Sequence, residues 1–342
     1  FKKGLLDRQN WTFIANVAWG VTTGLDVQTS TNDPFAYQDL VDAGQMIGPR
    51  AFSTGPGIFS QNNFESKEQY IGLMKRYRDH YRTRNLKSYI AGNRKQRNYI
   101  VQAAHELGMM PTTEGALDLK LNLTHAIDAF HGNEHNFPVT PLYKDVVELV
   151  AQSGMTYTPT LLVTYGGPWG ENYYYSTEEV HDDPKVKRFV PDNIIQSKTR
   201  RVPWFRKDEY AFSKMAADAA KIIKAGGLVG VGGHGQLNGL GYHWELWSLH
   251  SGGMTEMEAL RAATINGAKI IGVSEDVGSI EYGKLADLVI LDKDPLVNIR
   301  NTNSIKYVMK NGVLYQGDTM NEVWPNSKEL KTQWWWNDGP EE

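Results

Sequence analysis

Two spacings of apolar residues take turns along this chain. From Trp11 to Ala18 the apolar positions keep a helical period, and Val21 to Leu25 is a short β-branched run ending at Asp26, the pattern of a buried parallel strand. The step then repeats. Asp33 and Pro34 open a helical stretch through Met46, Pro49 stops it, and Arg50 to Thr54 reads as the next strand. Ser66 to Tyr81 is amphipathic and helical, Leu86 to Ile90 a strand, and Arg97 to Leu107 a helix closed by Gly108. Met110 to Thr113, Gly132 to His135 and Tyr157 to Val163 continue as strands, separated by helices over Asn122 to Phe130 and Leu142 to Gly154. Such alternation predicts an α/β fold, either a barrel or a doubly wound sheet.

Thr164 to Lys207 breaks the rhythm with GGPWGENYYY, several charges and prolines, and reads as a lid or interface loop. Ala211 to Ala225 restores a helix, Leu228 to Gly233 is a Gly-rich strand, and helices are expected from Trp244, Thr255 and Asn266. From Val277 the segments GSIEYGKLADLVILDKDP and IKYVMKNGVLYQG become short, alternating strands, with a hairpin signal at Asn311-Gly312. The expected division is therefore 1–272 as a barrel, 273–325 as part of a small β domain, and 326–342 as a tail. Trp334, Trp335 and Trp336 favour docking of that tail over a free end.

Charge and composition narrow the partners. Over 342 residues, 36 basic and 39 acidic side chains leave a net charge of -3, which advertises neither a nucleic-acid nor an anionic-membrane partner. No apolar run approaches a membrane span. Without cysteine, thiolate ligands and a cysteine nucleophile are excluded, and any metal must be held by His, Asp, Glu or a modified Lys. The chain opens at Phe1 on a stretch that reads as the interior of a domain, so a processed or partial chain is expected.

In a parallel barrel the reactive groups stand at the C-terminal ends of strands. There the chain places Lys87, Glu114, His135 and His234. Each has an ordinary alternative: a solvated lysine, a helix-capping carboxylate, a polar loop histidine. His234, wedged between glycines after an apolar strand, is the hardest to explain by structure alone. HGNEH spaces His131 and His135 as on a zinc-binding helix, but Gly132 and Asn133 disfavour a helix, so His135 alone is expected to be a ligand. The GGHGQLNGLG run lacks the spacing of a nucleotide-binding loop, and no G-x-S-x-G elbow occurs.

The phrases GVTTGLD, AGQMIGPRAFSTG, LKSYIAGNRKQR, HWELW, GGMTEMEALRAATINGAKIIG and GSIEYGKLADLVILDKDPL resemble imidazolonepropionase-like and prolidase-like amidohydrolases, and look closest to the amidohydrolase domains that follow a TolB-like propeller. The resemblance runs from about Trp11 to about Tyr315. It implies a (β/α)8 TIM-type barrel with a small β-sandwich built by both chain ends. It also implies one or two divalent metals, usually zinc and otherwise manganese, whose bound hydroxide attacks an amide or ester. Homo-oligomers and a periplasmic or secreted location are expected on the same basis.

Carried over by position, Lys87 stands at the bridging, carboxylated lysine and His135 at the sixth-strand histidine. The pattern is broken three times. Glu114 stands where a histidine is expected, His234 where an aspartate both binds metal and takes the water proton, and no HxH pair occurs. The first strand is therefore expected upstream of residue 1, as a segment of the same protein. The expected metal set is Lys87, Glu114, His135 and His234, with His234 as proton shuttle. Tyr165, Gln236 and His243 are expected substrate contacts, and Trp169 with Tyr173 to Tyr175 are expected to cover a small, dipeptide-like substrate. A barrel that has lost catalysis is the alternative.

Overall fold

The computed structural model describes residues 9–29, 33–59, 62, 64–200 and 202–337. Helix α1 (Trp11–Ala18) starts at Asn10, whose side chain accepts from the Thr12 N–H, and buries Ile14, Ala15, Val17 and Ala18. Strand β1 (Thr23–Asp26) runs into α2 (Asp33–Asp42) and pairs in parallel with β2 (Arg50–Ser53). A second parallel sheet follows in chain order: β3 (Asn85–Tyr89), β4 (Met110–Glu114), β5 (Gly132–Glu134) and β6 (Thr156–Thr158). Helices α3 (Lys67–Arg76), α4 (Arg94–Glu106), α5 (Leu119–Ile127) and α6 (Lys144–Ser153) alternate with these strands.

Two isolated parallel bridges extend the ladder, Ile58 to Ser88 beside β3 and Val229 to Tyr157 beside β6. Parallel strands taken strictly in chain order are the arrangement of a TIM-type barrel, since a doubly wound sheet reverses order at a switch point. Among the described residues no ladder joins β1 to the Val229 segment, so the strands form an arc rather than a closed ring.

Several expectations are corrected. The strand expected over Leu228 to Gly233 is reduced to the bridge at Val229, held to β6 by Tyr157 N to Leu228 O (2.9 Å) and Gly230 N to Tyr157 O (3.0 Å). A Cβ on Gly232 would lie 2.5 Å from Thr158, so close approach of the backbones uses the missing side chains. Thr164 to Lys207 is not an irregular loop. It contains α7 (Gly170–Thr177), α8 (Pro184–Phe189) and α9 (Asp192–Thr199). Two of the prolines that suggested a loop mark helix starts: Asp183 caps α8 with Pro184 in its first turn, and Pro191 immediately precedes α9.

Helix α10 (Phe212–Lys224) packs on α11 (Leu240–His250), which starts four residues before Trp244. Nearly every side chain of α11 is buried, so it carries no amphipathic stripe to mark its beginning. The main core gathers α1, α10, α11 and the aromatic side chains of α7, while a second core lies between α3, α4 and Leu86. Short helices α12 (Glu256–Arg261) and α13 (Gly267–Ile270) lead to a four-stranded antiparallel sheet in the order β10-β9-β8-β7. Its strands are β7 (Leu288–Leu291), β8 (Ile305–Lys310), β9 (Val313–Gln316) and β10 (Glu322–Trp324). Asn311 and Gly312 both take positive φ, 51° and 76°, as a two-residue hairpin between β8 and β9 requires. The tail docks as far as it is described: Trp335 is buried, and the Trp335 and Trp336 indole N–H groups both donate to Arg188 O.

Candidate active site

Register decides which side chains share a layer. Lys87, Thr112, Gly132 and Thr156 are successive partners across β3 to β6, and two residues further on the same face stand Tyr89, Glu114, Glu134 and Thr158. A Cβ on Gly132 would lie 2.6 Å from Thr156 Oγ1 and 2.9 Å from Thr112 Oγ1, so this layer closes only because Gly132 has none. The Lys87 side chain, 1% exposed, reaches into the layer above. Its Nζ lies 2.5 Å from Glu134 Oε2 and 3.2 Å from Glu114 Oε2, and 4.8 Å from the Tyr89 ring centre. Thr112 Oγ1 donates to the other oxygen of Glu134.

Burial pulls the Lys87 ammonium down, but Glu134 and Glu114 outweigh it and hold its pKa above the ordinary lysine value. His135 behaves oppositely: burial first, then His234 and Lys87, push it down to about 3, so its imidazole is neutral at ordinary pH. His135 Nε2 is 3.4 Å from Glu114 Oε2, and Nδ1 is 2.8 Å from Thr160 Oγ1. A neutral ring beside a carboxylate is best accommodated when Thr160 donates to Nδ1 and the ring proton on Nε2 faces Glu114. The Tyr165 ring stacks on His135 at 4.7 Å, with its phenol raised to about 12 by burial and Glu114. Two bonds with the Asn136 side chain fix the Tyr165 backbone.

His234 completes the cluster, its ring centre 5.1 Å from that of His135, with Nδ1 3.2 Å from Gln236 Oε1. Three non-glycine residues here sit at positive φ: His135 at 66°, Thr160 at 48° and His234 at 54°. Such conformations cost about 1 kcal/mol or more each and collect where a side chain must be aimed.

Lys87, Glu114, His135, His234, Tyr165 and Gln236 are thus brought together; His243 is not. Its ring is buried on α11, with Nε2 2.9 Å from Trp19 O and Nδ1 3.0 Å from Thr302 Oγ1, so it contacts the core and not the site. His131 Nε2 is likewise occupied, by Ile270 O at 2.8 Å. The expected aromatic cover is corrected as well: Tyr174 stacks on Trp244 at 5.0 Å and Tyr175 meets the same ring edge-on, which places both in the core. Glu134 was missed by the sequence reading. The available signal was parity, because Glu134 shares the face of Gly132 as Glu114 shares that of Thr112.

The amidohydrolase family model matches residues 15–315. The chain belongs to the amidohydrolase family. An imidazolonepropionase of Geobacillus kaustophilus (strain HTA426) is 39% identical over 111 residues, 30% of this chain and 26% of that protein. Matched stretches cover 15% and 24% of the imidazolonepropionases of Brevibacillus brevis (strain 47 / JCM 6285 / NBRC 100599) and Geobacillus sp. (strain WCH70). Among solved structures, a Xaa-Pro dipeptidase with bound methionine superposes with a TM-score of 0.65 at 21% identity, covering 89% of this chain and 77% of that one. A bottromycin amidohydrolase reaches 0.68 at 15%, covering 91% and 74%. These structures share the TIM-barrel-like α/β fold of the family.

Amidohydrolases are generally metal-dependent, and the geometry tests whether this chain fits a metal. Among the described residues no group of three His, Asp or Glu side chains is arranged to hold one. The two carboxylates already share an ammonium, and the His135 proton favoured beside Glu114 occupies the nitrogen that would have to coordinate. The described residues do not by themselves fit the family's metal centre; Lys87, Glu114, His135 and His234 stand in one cluster, in which Lys87 is paired with Glu114 and Glu134.

Proposed function

We propose that this protein hydrolyses a C–N bond in a small, peptide-like or cyclic amide, at the cluster formed by Lys87, Glu114, Glu134, His135 and His234. Family membership supports the reaction class. The observation that carries the assignment is an ammonium as buried as a core side chain, 1% exposed, with two carboxylates and two imidazoles clustered beside it toward the C-terminal ends of parallel strands.

The residues can divide the work. His234, exposed to solvent, accepts a proton from a water that attacks the carbonyl carbon and returns it to the amide nitrogen, which leaves as an amine when the tetrahedral intermediate collapses and the C–N bond breaks, while Lys87 supplies positive charge where the carbonyl oxygen becomes negative. Glu114 and Glu134 keep that charge in place. Tyr165, stacked on His135, offers a surface for the substrate. Zinc or manganese enters this proposal only with donors from outside the described residues, and a carboxylated Lys87 only once its ammonium partners are displaced. Assembly into a homo-oligomer is supported by apolar side chains left exposed near the C-terminal sheet, Val289, Ile290 and Val297 among them, and is measured by light scattering.

The test is amine release by the full-length protein from N-acyl amino acids, Xaa-Pro dipeptides and cyclic amides, with metal content determined on the same sample. Turnover on one of these classes that Lys87→Met abolishes supports the reading. A family member without catalysis, serving as a structural or interaction protein, is the second reading, favoured by the ammonium held between Glu114 and Glu134. It would be supported by a folded protein with no turnover on any class.

A further inference from the structure

Three consecutive tyrosines on α7 cannot share a face, because successive helical positions are turned by about 100°. Tyr174 and Tyr175 pack against Trp244, which leaves Tyr173 on another side of the helix. The Tyr173 ring meets Tyr210 edge-on at 5.5 Å and lies 5.4 Å from that of Phe212, the first residue of α10. With Trp247 of α11 these rings line a cavity of about 400 Å³, within the roughly 300–1,000 Å³ usual for small-molecule sites. A helix rises about 1.5 Å per residue, so Trp247 stands about 10 Å along α11 from the end that follows the His234 turn. No residue of the Lys87 cluster lines this cavity.

Lys207 and Arg300 stand in the wall, and among the described residues no carboxylate does. Arg300 is set in place by its backbone: Asn298 Oδ1 accepts from its N–H (3.0 Å) at the start of the helical turn Ile299–Asn303, and the guanidinium lies 4.4 Å from the Trp247 ring centre. Trp247 is fixed in turn by its indole N–H, which donates to Thr302 Oγ1 (3.0 Å). From outside the cavity Glu178 accepts from Arg300 Nη1 at 2.5 Å, and Glu256 lies 3.3 Å from His250, also in the wall. Lys207 has no such partner. Its neighbours Asp208 and Glu209 pair with Arg206 instead, and no carboxylate of the described residues lies within ion-pair distance of the Lys207 ammonium. A further donor, the Tyr210 hydroxyl, is buried in the same wall without a hydrogen-bond partner. A buried donor left unpaired costs free energy that an incoming acceptor restores. Aromatic faces beside an unpaired cation and an unpaired donor are complementary to a flat apolar ring that carries a negative charge.

We propose that this cavity is a binding site, separate from the Lys87 cluster, for a small aryl carboxylate, whose ring packs among Tyr173, Phe212 and Trp247 and whose carboxylate meets Lys207, Arg300 and the Tyr210 hydroxyl. Such binding needs no turnover at the cluster and is read by calorimetry: the full-length protein is titrated with phenylacetate, and with phenylethanol as its uncharged counterpart. Phenylacetate is expected to bind once per chain with a Kd of about 1 mM or tighter. Lys207→Gln, which removes an exposed ammonium, and Tyr210→Phe, which keeps the ring and loses the hydroxyl, are each expected to weaken it by about fivefold, and phenylethanol to bind about tenfold less tightly. Tyr165→Leu, at the cluster, is expected to leave the affinity unchanged. Thermal unfolding confirms that each variant is folded. No binding at about 10 mM phenylacetate, equal affinity for phenylethanol, wild-type affinity in Lys207→Gln or Tyr210→Phe, or loss of binding in Tyr165→Leu overturns the proposal.

Discussion

Removing the ammonium of Lys87 would leave Glu114 and Glu134 facing each other with no cation between them. Lys87→Met is expected to lower stability by about 2–3 kcal/mol, below the loss for a fully buried pair because both glutamates keep some exposure. Denaturant midpoints measure it. Elsewhere, His125 and His243 are each held at about 4 by burial, against 6.5 in an unfolded chain. Between those values the unfolded chain binds protons that the folded one refuses, so stability falls as pH drops through this window. Glu245 runs the other way: burial raises it to about 8, so its contribution is lost as pH rises from 4.5 toward 8. Unfolding midpoints measured at about pH 5 and about pH 6.5 should therefore be lower at the more acid value. At this scale the sequence showed which side chains end strands, and Lys87, Glu114, His135 and His234 do meet. It did not show that Lys87 would be paired with Glu134, because a cross-strand ion pair depends on register, and HGNEH drew attention to its histidines instead.

Helix α11 connects the core to the site through one buried carboxyl group, Glu245. Both Glu245 oxygens accept backbone N–H groups, Leu161 at 2.7 Å and Leu162 at 2.9 Å, in the turn directly after Thr160. Glu245→Ala would leave two buried donors without acceptors, at a cost of about 2–4 kcal/mol, and would loosen the Thr160 contact to His135. Thermal unfolding reports the first effect and turnover the second. Gly239, just before α11, has a φ of 84°, and a Cβ there would sit 2.6 Å from the Trp19 ring and 2.7 Å from Ala15 O. Gly239→Ala is expected to destabilise by about 2 kcal/mol or more, read by the same unfolding measurement. Elements with a clear period were legible: α1 spans the residues its spacing indicates, and the Asn-Gly signal is the β8–β9 turn. The helices of 164–207 were hidden by their own capping residues, and α11 by burial on every side.

For the whole molecule, family and strand order were legible because the phrases that mark them are local and specific. The missing HxH pair led to the expectation of a first strand upstream of residue 1, and among the described residues the strands form an arc in which no ladder joins β1 to the Val229 segment. The central claim is that this arc carries a hydrolytic cluster in which Glu134 holds Lys87. It is tested most directly by kcat/KM for amine release by the full-length protein carrying Glu134→Gln, with folding checked by thermal unfolding. Loss of the carboxylate that lies closest to the ammonium is expected to lower kcat/KM by on the order of 10²-fold in a protein that still folds. A folded variant within about twofold of wild type would contradict the account.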